Sequence, residues 1–194
     1  KTTSVKPSGT VSLLAGATPG LHYPESRFYT RRVRLSKHSE LIEPLQKAGY
    51  KLEPAFGSED TTMVVEVPVD VGEGIRTASE LSIWEQFSLA AFMQRHWADN
   101  QVSCTVTFDP KTEADEIAPA LNYFQYHLKG ISLLPRHDYG AYKQMPYEAI
   151  DEKTYNSQIK KLGKLTFGVI KNEEAEIDKF CNNDSCEIPG EEIK

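Results

Sequence analysis

Between Thr61 and Pro135 the hydrophobic period switches four times, and that alternation leaves few folds open to the chain. Thr61–Val69 is rich in β-branched residues and predicts a strand, ended by Pro68 and the glycines at 72 and 74. Ser79–Trp97 then sets Leu81, Trp84, Phe87, Leu89, Ala91, Phe92 and Met93 at helical spacing behind Glu80 and Glu85. This predicts one long helix with an aromatic core face. Val102–Phe108 returns to strand, Thr112–Leu128 predicts a helix stopped near Gly130, and Ile131–Leu134 a strand closed by Pro135. Strand, helix, strand, helix, strand is the βαβ pattern of a parallel α/β sheet.

Upstream, Phe28–Leu35 reads as a strand with its arginines on one face, and Ser39–Ala48 as a short helix capped by Ser39 and stopped by Gly49. About four parallel strands result, too few for a self-contained doubly wound domain. Beyond Pro135 come an aromatic, turn-rich arm (Tyr139, Tyr142, Met145, Pro146, Tyr147) and a last helix over Asp151–Leu162. The acidic tail Asn172–Lys194 holds few apolar residues and is expected to be mobile. The expected divisions are therefore 1–135, 136–171 and 172–194.

A net charge of −6 argues against a general nucleic-acid binder. The one basic cluster, Arg27, Arg31, Arg32 and Arg34, carries Phe28 and Tyr29 and reads as a local structural or anion-facing patch. No apolar run is long enough to span a bilayer and no signal-peptide pattern precedes the first strand. Three cysteines are no disulfide framework for a chain of 194 residues, so a reducing, cytoplasmic setting is expected. Cys104, in an apolar strand, reads as a buried small hydrophobe. Residue 1 is Lys, which reads as a processed, trimmed or divided polypeptide.

Two stretches carry chemistry. Lys6–Gly16 (KPSGTVSLLAG) follows the β-branched Thr2–Val5 and predicts strand, tight turn and helix. Free N–H groups and the positive end of a helix dipole suit an anion. Pro7, Ser8, Gly9, Thr10, Val11 and Ser12 would cradle a polyphosphate, with the hydroxyls of Ser8, Thr10 and Ser12 as neutral donors. The stretch lacks the Lys-Ser/Thr pair of a Walker loop, and an ordinary capped helix start explains the same residues. In the turn-rich crossing that follows, His22 reads either as a ligand neighbour or as a hydrogen-bonded loop histidine. The second stretch holds Cys181 and Cys186, with four residues between them in the acidic tail. Two exposed thiols so placed can close into a disulfide and reopen, as a shuttle of reducing equivalents does. Half a metal site or two idle cysteines are the other readings. Zinc needs about four ligands and no His or Cys flanks the pair, so no metal is expected.

Several stretches, taken in order, resemble one family. Lys6–Gly16 followed by Thr18-Pro19-Gly20 and His22, Tyr29–Val33, Ala78-Ser79-Glu80 with Trp84-Glu85-Gln86, Gln94–Asn100, Val102–Asp109, Lys129–Pro135 and Pro146-Tyr147-Glu148 are similar to segments of ribonucleotide reductases. The match is to the adenosylcobalamin-dependent (class II) ribonucleoside-triphosphate reductases and spans nearly the whole chain. Members that receive their radical from a separate metal subunit carry two adjacent tyrosines in the strand matching Lys129–Pro135. Here that strand reads Ile131-Ser132-Leu133-Leu134.

The resemblance implies the C-terminal part of a ten-stranded α/β barrel with a flexible cysteine-containing tail. It implies a substrate-phosphate loop at Pro7–Ser12, and reduction of ribonucleoside triphosphates by a thiyl radical that adenosylcobalamin initiates. Cys181 and Cys186 would re-reduce the active-site disulfide and be renewed in turn by thioredoxin. The radical cysteine and its partners would lie upstream of residue 1, so the chain alone is expected to be inactive. An upstream segment, in a split or a longer reductase, is the expected partner. The alternative is a non-catalytic nucleotide-phosphate-binding or regulatory module that works only through a partner chain.

Overall fold

The computed structural model describes residues 1–8, 11–136 and 143–167. Gly9, Thr10, Tyr139, Tyr142, the tail Asn172–Lys194 and with it Cys181 and Cys186 lie outside these residues. The described residues form two units that interleave along the chain: 1–24 with 74–136, and 25–73 with 143–167. The stretch read as one portion, 1–135, thus contributes to both.

In the first unit, α1 (Val11–Leu14) is a single turn, and a 3₁₀ turn at Ala78–Glu80 leads into α3 (Ile83–His96). The Ser82 hydroxyl accepts the Glu85 N–H and caps that helix, which is why it starts later than the apolar period suggests. The strands β4 (Thr105–Phe108) and β5 (Ser132–Pro135) pair in parallel, joined through α4 (Ile117–Phe124), so the βαβ expectation holds here. Helix α4 is shorter than the Thr112–Leu128 reading because Pro119 lacks an N–H and its ring would clash with the Asp115 carbonyl in a longer helix. Ile83, Phe87 and Ala90 of α3, Val102, Cys104, Val106 and Phe108 around β4, and Ala120 and Phe124 of α4 form the core. Phe87 stacks on Phe124 with ring centroids 5.4 Å apart.

Thr2–Val5 is not a strand. Its β-branched residues instead follow the 97–103 segment through single bonds. Thr3 Oγ1 donates to the Trp97 carbonyl (2.7 Å), Asn100 N–H donates to the Thr3 carbonyl (3.0 Å), and Ser103 N–H to the Val5 carbonyl (2.9 Å).

The second unit overturns the expectation of an all-parallel set. Its strands β1 (Phe28–Ser36), β2 (Lys51–Pro54), β3 (Thr62–Asp70) and β6 (Tyr147–Ala149) form an antiparallel sheet in the order β2-β3-β1-β6. The crossover between β1 and β3 holds only the six-residue α2 (Ile42–Lys47) and β2, so β1 and β3 meet antiparallel, with Val33 opposite Val65. Leu35, Leu45 and Val65 centre a small core, with Leu165 against it. Ser39 is not the cap of α2: its hydroxyl accepts the Leu41 N–H, and Pro44 in the first turn keeps the helix from starting earlier. Gly49 does end it, at φ +84°, where a Cβ would stand 2.7 Å from the Lys161 carbonyl oxygen. Helix α5 (Glu152–Ile159), capped by Asp151, lays Tyr155 against Phe28 at 5.0 Å.

The arginines of β1 divide between the two faces of the sheet, contrary to the one-face expectation, because successive side chains of a strand alternate. Arg32 joins a charged row across all four strands: Lys51 Nζ to Glu66 (2.9 Å), Arg32 Nε to Glu66 (2.9 Å), and Arg32 to Glu148. Arg31, on the other face, stacks its guanidinium 4.5 Å from the Tyr147 ring centroid and donates to the Pro146 carbonyl. The cluster is therefore a structural seam of its own unit.

Candidate functional site

The predicted phosphate loop opens α1. The Ser8 hydroxyl accepts the N–H groups of Val11 (3.1 Å) and Ser12 (3.4 Å), and the Ser12 hydroxyl donates to the Ser8 carbonyl. These bonds draw the capped helix start that the sequence allows as its simpler reading. Two amides that would face an anion are occupied by the chain's own serine, and Gly9 and Thr10 fall outside the described residues. Pro7 leads into the loop from the 2–5 segment that is tied to 97–103.

Behind Pro7 stands the turn Thr18–His22. Gly20 adopts φ +56° and lies against the chain at Lys6–Pro7, where a Cβ would sit 3.1 Å from both Pro7 Cα and Pro7 N. His22 is only 8% exposed, and its Nε2 accepts the Thr105 N–H at 3.0 Å. The ring proton therefore rests on Nδ1, which donates to the Pro19 carbonyl at 3.1 Å. Of its two readings from sequence, His22 fits the hydrogen-bonded loop histidine. The sequence reading includes Gly20 and Thr105 only within longer segments, Thr18-Pro19-Gly20 and Val102–Asp109, and assigns neither a role. The positive-φ demand on Gly20 arises only when the turn is folded back on Pro7.

At the carboxyl ends of β4 and β5 a second arrangement went unread. Glu113 accepts the N–H of Ile83 (2.9 Å) and of Asp109 (2.8 Å), and Arg136 donates to Glu113 (2.9 Å) and to the Ala78 carbonyl (3.0 Å). One ion pair thus holds the start of α3, the end of β4 and the end of β5. In sequence Glu113 is one acidic residue among several at a helix start, and nothing local marks it as the one turned inward.

Cys104 is buried, as expected, and burial pushes its thiol up to about 11, so it stays a neutral, inert thiol at ordinary pH. Among the described residues no group of three or more His, Cys, Asp or Glu could hold a metal ion, and no helix is long and apolar enough to cross a membrane. An open hollow of about 690 Å³ on α5 is lined by Asp151, Glu152, Lys153, Asn156, Ser157 and Lys160. Its charged wall does not suit the broad apolar faces of a corrin.

No protein-family model matches the chain. Individual relatives do. It is 55% identical over 191 residues to an adenosylcobalamin-dependent ribonucleoside-triphosphate reductase of Euglena gracilis, which aligns with 96% of this chain and 26% of the relative. It is 56% identical over 192 residues to a probable enzyme of the same name from Dictyostelium discoideum, covering 97% of this chain and 25% of that one. The crystal structure of a B-12-dependent (class II) ribonucleotide reductase superposes on 83% of this chain with a TM-score of 0.72 at 37% identity, and the match takes up 23% of that structure. The chain spans about a quarter of the length of the relatives it matches. The resemblance in the reductase segments, the mixed α/β architecture and these relatives agree: the chain belongs to the adenosylcobalamin-dependent ribonucleoside-triphosphate reductase family.

Proposed function

We propose that this chain is the part of a ribonucleotide reductase that supplies the substrate-phosphate loop and the tail dithiol. The complete enzyme converts ribonucleoside triphosphates to 2′-deoxyribonucleoside triphosphates for DNA synthesis. Identity of 55% along nearly the whole chain to a reductase named for that cofactor and substrate carries the reading. Adenosylcobalamin supplies the radical chemistry when bound by the complete enzyme, and the remaining three quarters of the family's polypeptide is the partner that this segment needs. Ser8, Gly9, Thr10, Val11 and Ser12 bind the substrate's phosphates through backbone N–H groups and hydroxyls, with Pro7, which has no donor, shaping the loop entry and the Ser8 hydroxyl giving up its amides as phosphate oxygens arrive. Cys181 and Cys186 pass two electrons to the active-site disulfide, and thioredoxin renews them, in a reducing cytoplasm. On this reading the tail 172–194 is a redox arm and 136–171 connects it to the barrel portion.

Thr10→Pro tests the loop. Proline removes one N–H donor and fixes φ, and a hydrogen bond to a charged group is worth about 1.5–3 kcal/mol. Ribonucleoside-triphosphate affinity of the complete reductase is expected to fall at least about tenfold. Unchanged affinity, measured by equilibrium binding, would remove the phosphate assignment.

A further inference from the structure

We propose that His22 is a positioning residue that, with Gly20, sets the phosphate loop against the strand core. The proposal rests on the phosphate-loop reading above and adds to it the part that fixes where the loop sits.

The connection runs through few atoms. Thr105 is the first residue of β4, between the core residues Cys104 and Val106, so its N–H is a fixed point of the first unit. His22 takes that N–H on Nε2, and its Nδ1 donates to the Pro19 carbonyl, which also accepts the His22 backbone N–H at 3.0 Å. One carbonyl thus receives both donors of the same residue and closes the turn. Gly20, inside that turn at φ +56°, brings its backbone against Lys6 and Pro7 so closely that a Cβ, 3.1 Å from Pro7 Cα, would force Pro7 to give by a few tenths of an ångström, and Ser8 follows directly. Core strand, imidazole, turn, Pro7 and loop entry are in series. Nothing in the series needs the ring to meet substrate, and its two nitrogens are already committed to backbone groups.

The loop's donors are backbone N–H groups and hydroxyls, which carry no net charge. Such donors recognise phosphate by placement, so a loop displaced by a fraction of an ångström loses binding without losing any reacting group. That loss falls equally on the bound substrate and on the transition state, and appears in KM with kcat preserved.

The test uses the complete reductase with three variants in this segment. His22→Phe keeps an aromatic ring but neither nitrogen; His22→Gln offers Oε1 to the Thr105 N–H; Gly20→Ala leaves His22 intact and pushes a Cβ onto Pro7. His22→Phe is expected to raise KM for ribonucleoside triphosphates roughly tenfold with kcat within about twofold, and His22→Gln to recover most of the loss. Gly20→Ala is expected to raise KM likewise, and stands in if the Phe variant fails to fold. A fall in kcat at unchanged KM, or a Gln variant no better than Phe, would overturn the proposal. Unchanged KM in His22→Phe and Gly20→Ala while Thr10→Pro raises it would refute the clamp and leave the phosphate loop standing. Unchanged KM in Thr10→Pro as well would remove both.

Discussion

Phe87→Ala is expected to destabilise the first unit by about 3–5 kcal/mol, the cost of deleting a fully buried aromatic ring. Phe87 is 0% exposed on α3, stacks on Phe124 of α4, and belongs to one core cluster with Ile83, Ala90 and the β4 residues Val106 and Phe108. The surrounding groups hang on α3, α4 and β4, and the start of α3 and the end of β4 are already tied by Glu113 and Arg136, so collapse into the cavity would be limited. Domains are stable by only about 5–15 kcal/mol, so the loss takes a large share of the margin. Phe92→Ala on the same helix is the control. That ring is 57% exposed, and its removal should change stability by no more than about 0.5 kcal/mol. Chemical denaturation of the two variants beside the parent protein measures the difference. Equal effects would mean that α3 is not packed through Phe87.

The second large effect is kinetic. Cys181→Ser with Cys186→Ser in the complete reductase is expected to leave one turnover intact and to stop thioredoxin-driven cycling. In the proposed reaction each reduction would consume two electrons from a cysteine pair in the active site and leave that pair as a disulfide. On the proposed reading the tail dithiol would attack that disulfide, take over the oxidised state as its own, and be reduced by thioredoxin in two further exchanges. Serine forms no disulfide, so the enzyme stops after the electrons it already holds are spent. Rapid-quench measurement of product per active site should give about one equivalent with thioredoxin present, against continued turnover in the parent. Undiminished cycling in the double variant would exclude the shuttle role.

Elements that announce themselves through their own side chains were legible. The period of α3 and the β-branched runs of β1, β3 and β4 place those elements within a few residues. What the sequence could not disclose was pairing. β2 is Lys51-Leu52-Glu53-Pro54, without a β-branched residue, and is a strand because β3 offers it a partner and Lys51 meets Glu66. Thr2–Val5, with better strand residues, is none, because it meets the 97–103 segment through isolated backbone and side-chain bonds that do not build a ladder. Direction was misread for the same reason: the strand pattern alone does not say whether β1 and β3 lie parallel, and the short connection between them decides it. The candidate loop was visible from its serines, threonine and glycine. The turn behind it was not, since Gly20 meets Pro7 and His22 meets Thr105 only once the chain is folded.

If this chain is a necessary portion of a reductase, activity belongs to the combination and not to the chain alone. Ribonucleoside-triphosphate reduction would be measured with adenosylcobalamin and a thioredoxin system, for this chain alone and for this chain joined to the remainder of the family's polypeptide. Deoxynucleotide formed only by the combination is the expected result. No product from the combination, with both parts folded, would contradict the account and favour a nucleotide-binding module without catalysis.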